Sequence, residues 1–345
     1  MRYLGMHKQD HSYWLDLMNQ SKYRGFDSDS YNEGQLVDEL ETRIAALLGK
    51  PDALFFNKGT TCQMAALKAH CENKANNKVM LHSQSHIAQD EQDAYQALMG
   101  LEGVLVGQQD APITLESVKA ITEEIAVLVI ELPLRRAGFK LPEWQELVQL
   151  RQWCDKNNVI MHMDGARLWE SAKYYGMAWA SVANLFDSVY VSLYKGLGGI
   201  GGALLAGDAD MLEQCKVWRD RLGSNMWTTF PALITALQGM DNNLNQISNW
   251  VTRAKEIAKA LMAVDGLIID TPQTNGFQIR IQADIYQLNN RLKTICSQME
   301  INPCKPFAKT PNSKLLFTEI QVGAQHAQIR TVELVKFFNK LTQLK

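Results

Sequence analysis

Cysteine is scarce and unpaired in this chain. Its six copies in 345 residues (Cys62, Cys71, Cys154, Cys215, Cys296 and Cys304) form no CxxC pair. That excludes a thiolate metal centre or disulfide framework and reads as the reduced thiols of a cytoplasmic protein. Positive charge is not in surplus. Lys plus Arg number 35 against 37 Asp plus Glu, a net charge of −2, so no nucleic-acid-binding surface is expected. No apolar run approaches the ~18 residues of a membrane span, and the opening MRYLGMHKQDHSYW lacks the apolar stretch of a secretory signal. Also missing are HExxH, any larger His/Cys/Asp/Glu grouping at ligand spacing, the G-x-S-x-G elbow and the Walker A loop, so no metal site is expected. Repeats and charge blocks are absent, and with 46% hydrophobic and 21% charged residues the chain does not read as disordered. A folded enzyme acting on a small molecule remains. Its length exceeds that at which one core stops growing, which predicts one large and one smaller domain.

The patterning predicts an α/β fold, with a mainly parallel sheet covered by helices and a smaller C-terminal α+β domain. The boundaries are an N-terminal arm or helix over 1–30 that packs elsewhere, a large domain over 31–242 and a small domain over 243–345. Gln35–Leu48 carries apolar residues at helical spacing and stops at Gly49. Short apolar runs at 53–56, 78–81, 103–106, 126–132, 159–163, 188–193 and 203–206 read as buried strands. Helices are expected between most of them, including 60–71, 115–124 and 143–156. Beyond residue 242 a long helix over 250–263 precedes strands at 276–281 and 315–322 and two more helices.

In open parallel sheets, function collects at the carboxyl ends of strands. The run at 53–56 leads into Lys58-Gly59-Thr60-Thr61 at a helix start, where backbone N–H groups, hydroxyls and the helix dipole suit an anion. The same turn also suits a plain helix cap. Asp164, at the tip of an apolar strand, needs a cationic partner such as Arg167, or a ligand. Lys195, emerging from the next strand, is a candidate carbonyl nucleophile or a lysine that snorkels to the rim. Together, an anion turn, a strand-end acid and a strand-end lysine are the parts pyridoxal 5'-phosphate requires. The 31 residues from Asp164 to Lys195 leave room for one crossover. The glycines from Gly196 to Gly201 satisfy G-x-G-x-x-G, but they run into another apolar strand, which argues against a dinucleotide fold. They are expected to let the backbone pass close under a flat cofactor. His86 follows a strand end and is a candidate for ring stacking or acid–base work, whereas His82 and His162 read as structural. Arg135 and Arg136 follow another strand end and suit a substrate carboxylate, or a surface ion pair.

The chain carries Tyr31-Asn32-Glu33-Gly34, Gly59-Thr60, Ser85-His86-Ile87 with Glu91, Asp164-Gly165-Ala166-Arg167-Leu168, Lys195-Gly196-Leu197-Gly198, Leu222-Gly223 and Met226. These resemble the threonine aldolase and β-eliminating lyase family over about two thirds of the chain. The resemblance implies fold type I (the aspartate-aminotransferase fold) and homodimers or homotetramers with shared active sites. It implies Lys195 as the Schiff-base lysine, Asp164 as the pyridine-nitrogen partner, His86 as the stacking histidine, Gly59 and Thr60 as the phosphate turn, and Arg167 near the substrate carboxylate. The family's Ser-Asp-Thr opening is missing, and its Glu-Asn-Thr-His stands here as Glu131-Leu132-Pro133-Leu134. A family phosphate-binding arginine falls on Trp227, with Lys58 as a substitute charge, and the second carboxylate arginine is replaced by Arg135 and Arg136. The implied reaction is aldol cleavage of threonine or allo-threonine to glycine and an aldehyde. The alternatives are β-elimination from a cysteine-like or aromatic amino acid, and cofactor binding with little catalysis.

Overall fold

The computed structural model describes residues 1–5, 9–310 and 314–343. They form two compact units, one drawn from Gln9–Leu244 and the other from Met1–Lys8 with Asn245–Lys345. The chain therefore divides at 244 instead of 242, and residue 30 marks no break between units.

The larger unit is built on seven strands: β1 (Asp52–Phe56), β2 (Lys78–His82), β3 (Glu102–Val106), β4 (Val127–Glu131), β5 (Ile160–Asp164), β6 (Ser188–Ser192) and β7 (Ala203–Gly207). Their order across the sheet is β1-β7-β6-β5-β4-β2-β3, and only β7 runs against the rest. Except in the edge strand β3, where Leu105 is exposed, both faces are largely buried, which is why the strands read as unbroken apolar runs. In β1, Leu54 and Phe56 join one core cluster with Cys62, Ala65, Ala66 and Ala69 of the helix Gly59–Lys74 and with Met211, Leu212 and Cys215 of the helix Ala209–Arg221. Phe55, one residue out of phase, is buried as well, and its N–H donates to Glu41 on the helix Gln35–Leu48. Gly49 ends that helix in the left-handed conformation (φ 62°), as its place in the pattern predicted.

Two expectations shift. The helix predicted over 115–124 stops at Lys119. Thr122, Glu123 and Glu124 would have put a β-branched residue and two negative charges at its carboxyl end, where the helix dipole disfavours them. Residues 9–30 do not form a free arm. The helix His11–Gln20, capped by the Asp10 side chain, is followed by Ser21, which donates to Gln238 at 3.0 Å, and Tyr23, which donates to Asp241 at 2.9 Å. The segment is thereby fixed to the helix Phe230–Asn243 of the same unit.

The smaller unit has a four-stranded antiparallel sheet in which Gly276–Ile281 pairs with Leu316–Gln321, and helices Ile247–Leu261, Ile285–Met299 and Thr331–Thr342. Arg2–Tyr3 pairs in parallel with Ile301–Asn302, so the first residues of the chain belong to this C-terminal unit.

Candidate active site

Three neighbouring strands end together. In register, Glu131 of β4 lies beside Asp164 of β5, and Asp164 beside Tyr190 of β6. Parallel neighbours in register present side chains to the same face, so the two carboxylates are close. The like charge of Asp164 and, more strongly, desolvation push the Glu131 carboxyl up to about 7. Glu131 also accepts backbone N–H bonds from His86 (2.8 Å) and Arg135 (3.2 Å), tying two loops to the strand end. Asp164 is 1% exposed. Its Oδ1 accepts from Ala166 N at 3.1 Å, and its Oδ2 is buried with no hydrogen-bond partner. A buried carboxylate oxygen left bare is costly unless a donor comes from outside the protein. A protonated pyridine nitrogen is such a donor.

Lys195 sits on the loop between β6 and β7. That loop is pinned by Leu193 N to Gly202 O (3.2 Å), Gly199 N to Leu193 O (2.9 Å) and Gly198 N to Lys195 O (3.0 Å). The glycines of this loop also let it pack closely within the chain. The close approach present is to the helix Phe230–Asn243, where a Cβ at Gly199 would stand 3.2 Å from Ala236, and Asn243 donates to Leu197 O at 2.8 Å. Gly198 and Gly202 take φ of 79° and 91°. The apolar strand that follows is β7, as expected, so no dinucleotide fingerprint forms. Desolvation, then the nearby Arg167 guanidinium, lower the Lys195 amine to about 8, against the opposing pull of Asp164, Glu131 and Glu170. A lysine held there is partly neutral near physiological pH and can attack a carbonyl.

The turn before the helix Gly59–Lys74 offers the anion site. Backbone bonding begins at Cys62 N to Lys58 O, so the N–H groups of Gly59, Thr60 and Thr61 have no carbonyl within the helix. Lys58 is the exposed N-cap residue and makes no side-chain cap bond. Ser224 braces the turn, accepting from Asn57 N (3.2 Å) and Thr61 Oγ1 (3.3 Å). Thr60 stands by the buried Glu91, whose carboxyl desolvation pushes up to about 7. Only glycine fits at 59, since a Cβ would lie 2.3 Å from Tyr190 Oη. Gly59→Ala should therefore weaken pyridoxal phosphate binding by at least about tenfold, or ~1.4 kcal/mol. A second change, Tyr190→Phe, should restore part of the loss. Titration of the full-length protein with the cofactor measures both.

His86 opens the short helix His86–Asp90. Its Nδ1 is 3.1 Å from Asp90, and Asp90 also pairs with Arg136, whose Nε is 3.1 Å away. The Arg136 guanidinium and the hydrogen bond from His86 hold the Asp90 carboxyl down to about 2 despite desolvation. Arg136, a candidate for the substrate carboxylate, is thus engaged with the acid behind His86. Arg167 lies with its guanidinium 5.6 Å from the centre of the Phe139 ring, near Glu131, Glu170 and Lys195.

His82 and His162 make internal bonds. His82 Nε2 is 2.9 Å from Ala111 O, so although it stands four residues before His86, the two rings have separate partners. Among the described residues no group of three potential metal ligands occurs. His162 is fully buried between Ser188 Oγ and Gln63 Oε1, each at 2.7 Å, and desolvation lowers it to about 3.

Sequence reasoning passed over Glu131 and Glu170 as site residues. Glu131 carried the same signal as Asp164, an acid closing an apolar strand. Glu170 carried none beyond standing one turn after Arg167.

The sequence profile of the family described as "Beta-eliminating lyase" matches residues 20–284. A low-specificity L-threonine aldolase of Candida albicans is 25% identical over 90% of this chain and 82% of its own length. The Escherichia coli low specificity L-threonine aldolase is 24% identical over 73% and 77%. The solved structure of a Listeria monocytogenes protein assigned as an L-allo-threonine aldolase superposes with a TM-score of 0.93 at 30% identity, covering 99% of this chain and 96% of that one.

Proposed function

The chain belongs to the β-eliminating lyase family of pyridoxal-phosphate-dependent enzymes, and from that premise we propose that it cleaves a small β-hydroxy amino acid, threonine or allo-threonine, to glycine and an aldehyde. The observation that carries the reading is the bare, buried Asp164 Oδ2 beside a lysine whose amine is lowered to about 8.

Bound pyridoxal phosphate supplies an aldehyde for the substrate amine and an electron sink for the bond broken at Cα. The residues present fit it. Gly59, Thr60 and Thr61 offer N–H groups to the phosphate, with Lys58 adding charge. Asp164 Oδ2 would accept from the ring nitrogen and keep it protonated. Lys195 would provide the amine that holds the cofactor. Arg167 would take the substrate carboxylate. Arg135 stands at the same strand end, while Arg136 supports His86 through Asp90. With Asp90 ionised, His86 presents Nδ1–H to it, which leaves the ring face to stack on the cofactor and Nε2, 3.7 Å from Glu91 Oε1, as the atom that would accept the β-hydroxyl proton.

A second reading, β-elimination, is favoured by one feature. Leu134, where the family's histidine is expected, is 2% exposed and apolar, so it offers no acid–base group to a hydroxyl. Incubating the purified protein with β-hydroxy and β-substituted amino acids separates the two. Glycine plus aldehyde supports cleavage, and pyruvate plus ammonia supports elimination. Neither pair, with cofactor bound, would leave only cofactor binding.

The working form proposed is a cytoplasmic homo-oligomer with shared active sites. Supporting this, Tyr31, Met226, Trp227 and Phe230 are all exposed, with the Tyr31 and Trp227 rings 5.2 Å apart and edge-to-face.

A further inference from the structure

Glu170 has no part in the chemistry described so far, yet it is 2% exposed, a state a carboxylate seldom occupies without a purpose. It ends the short turn Leu168–Glu170 that follows Arg167. The turn is locked from behind. Trp169 is buried and meets Trp179 edge-to-face at 5.4 Å, and the Trp179 indole donates to Trp169 O at 3.2 Å. This fixes where the Glu170 side chain leaves the backbone. The carboxylate lies against the residue after Lys195, with Oε1 2.6 Å from where a Cβ on Gly196 would stand. Glycine at 196 is thus what makes room for it. Its Oε2 is buried without a hydrogen-bond partner.

Resting on Lys195 as the lysine that holds the cofactor, we infer that Glu170 is a positioning residue for it: a buried carboxyl seated in place of a side chain at 196, which sets the charge carried by the Lys195 amine. Lys195 faces two opposing sets of groups. Arg167 disfavours its protonation, and Asp164, Glu131, Glu170 and Glu91 favour it, with the Tyr194 ring 5.8 Å from Nζ. Of the carboxyls, Asp164 would face the ring nitrogen, Glu131 accepts from the His86 and Arg135 backbone, and Glu91 Oε1 lies 3.7 Å from His86 Nε2. Glu170 faces only Arg167 and Lys195 as charged groups and is itself raised by desolvation to about 7. Glu131 and Glu91 are raised to the same range, and what sets Glu170 apart is its seat against the residue that follows Lys195.

The test is the pH profile of Lys195 reactivity in the full-length protein freed of cofactor, where the amine is unblocked, read by trace acetylation and peptide mass spectrometry. Glu170→Gln keeps the shape and removes the charge, so the midpoint should fall. Lys195 should become roughly three- to tenfold more reactive at pH 7, a shift of ~0.5–1 unit, with the melting temperature close to that of the parent. An unchanged midpoint in a folded variant would overturn the inference, because a carboxyl that only packs would not move it. If Glu170→Gln does not fold, Gly196→Ala carries the test, since its methyl displaces the carboxyl and should lower the midpoint in the same direction. Borohydride reduction with pyridoxal phosphate keeps the two levels apart. An adduct on another lysine sinks the cofactor assignment, whereas an adduct on Lys195 with an unmoved midpoint sinks only the role of Glu170.

Discussion

Replacing Lys195 with alanine should remove all borohydride-fixable pyridoxal phosphate from the protein and lower turnover by roughly three to four orders of magnitude. The reason is positional. The loop carrying Lys195 is held to β6 and β7 by backbone bonds at Leu193 and Gly199, so no other amine can be brought to the same point. Lys58, the other lysine proposed to touch the cofactor, caps a different helix. Absorbance of the dialysed protein and peptide mapping after reduction provide the measurement. A variant that keeps a reducible yellow cofactor at full stoichiometry would overturn the assignment. The substitution should cost little stability, because it relieves a desolvated amine.

The second large effect belongs to Asp164. Changing it to asparagine preserves the acceptor for Ala166 N but removes the charge that keeps a ring nitrogen protonated. Turnover should fall about 10²- to 10³-fold, the cost of losing one fixed electrostatic partner at the reacting centre. Stability should move the other way or not at all. Asp164 is a like charge beside Glu131, and removing it lets the Glu131 carboxyl return toward its ordinary range. Steady-state kinetics and thermal melting, run on the same preparation, check the two directions. Activity within about threefold of the parent would rule out the role given to this carboxylate.

These two residues were readable from the sequence because each is an exception to its surroundings, a charge at the end of an unbroken apolar strand. Gln35–Leu48 was readable to the residue, since both its apolar spacing and its terminal glycine are local signals. What escaped is what depends on distant partners. The pairing of Arg136 with Asp90 joins residues 46 apart, and no local signal announces it. Glu170 acquires meaning only when the turn after Arg167 is folded against Gly196. The segment before residue 30 looked detachable because its helix buries no residue of its own, and its anchors, Ser21 and Tyr23, reach side chains more than 200 positions later.

The hydrogen bond between Gln63 and His162 acts as a gauge. Gln63 lies one turn into the helix whose first N–H groups form the anion site, and His162 lies two residues before Asp164 on the same face of β5. The fully buried imidazole, fixed on its other side by Ser188, therefore sets the distance between the anion site and the bare carboxylate oxygen. A ligand meets both ends only if its own anion and its own proton donor are that far apart. A cofactor held at both ends would thus be matched partly by its length, through the buried bond of Gln63 to His162.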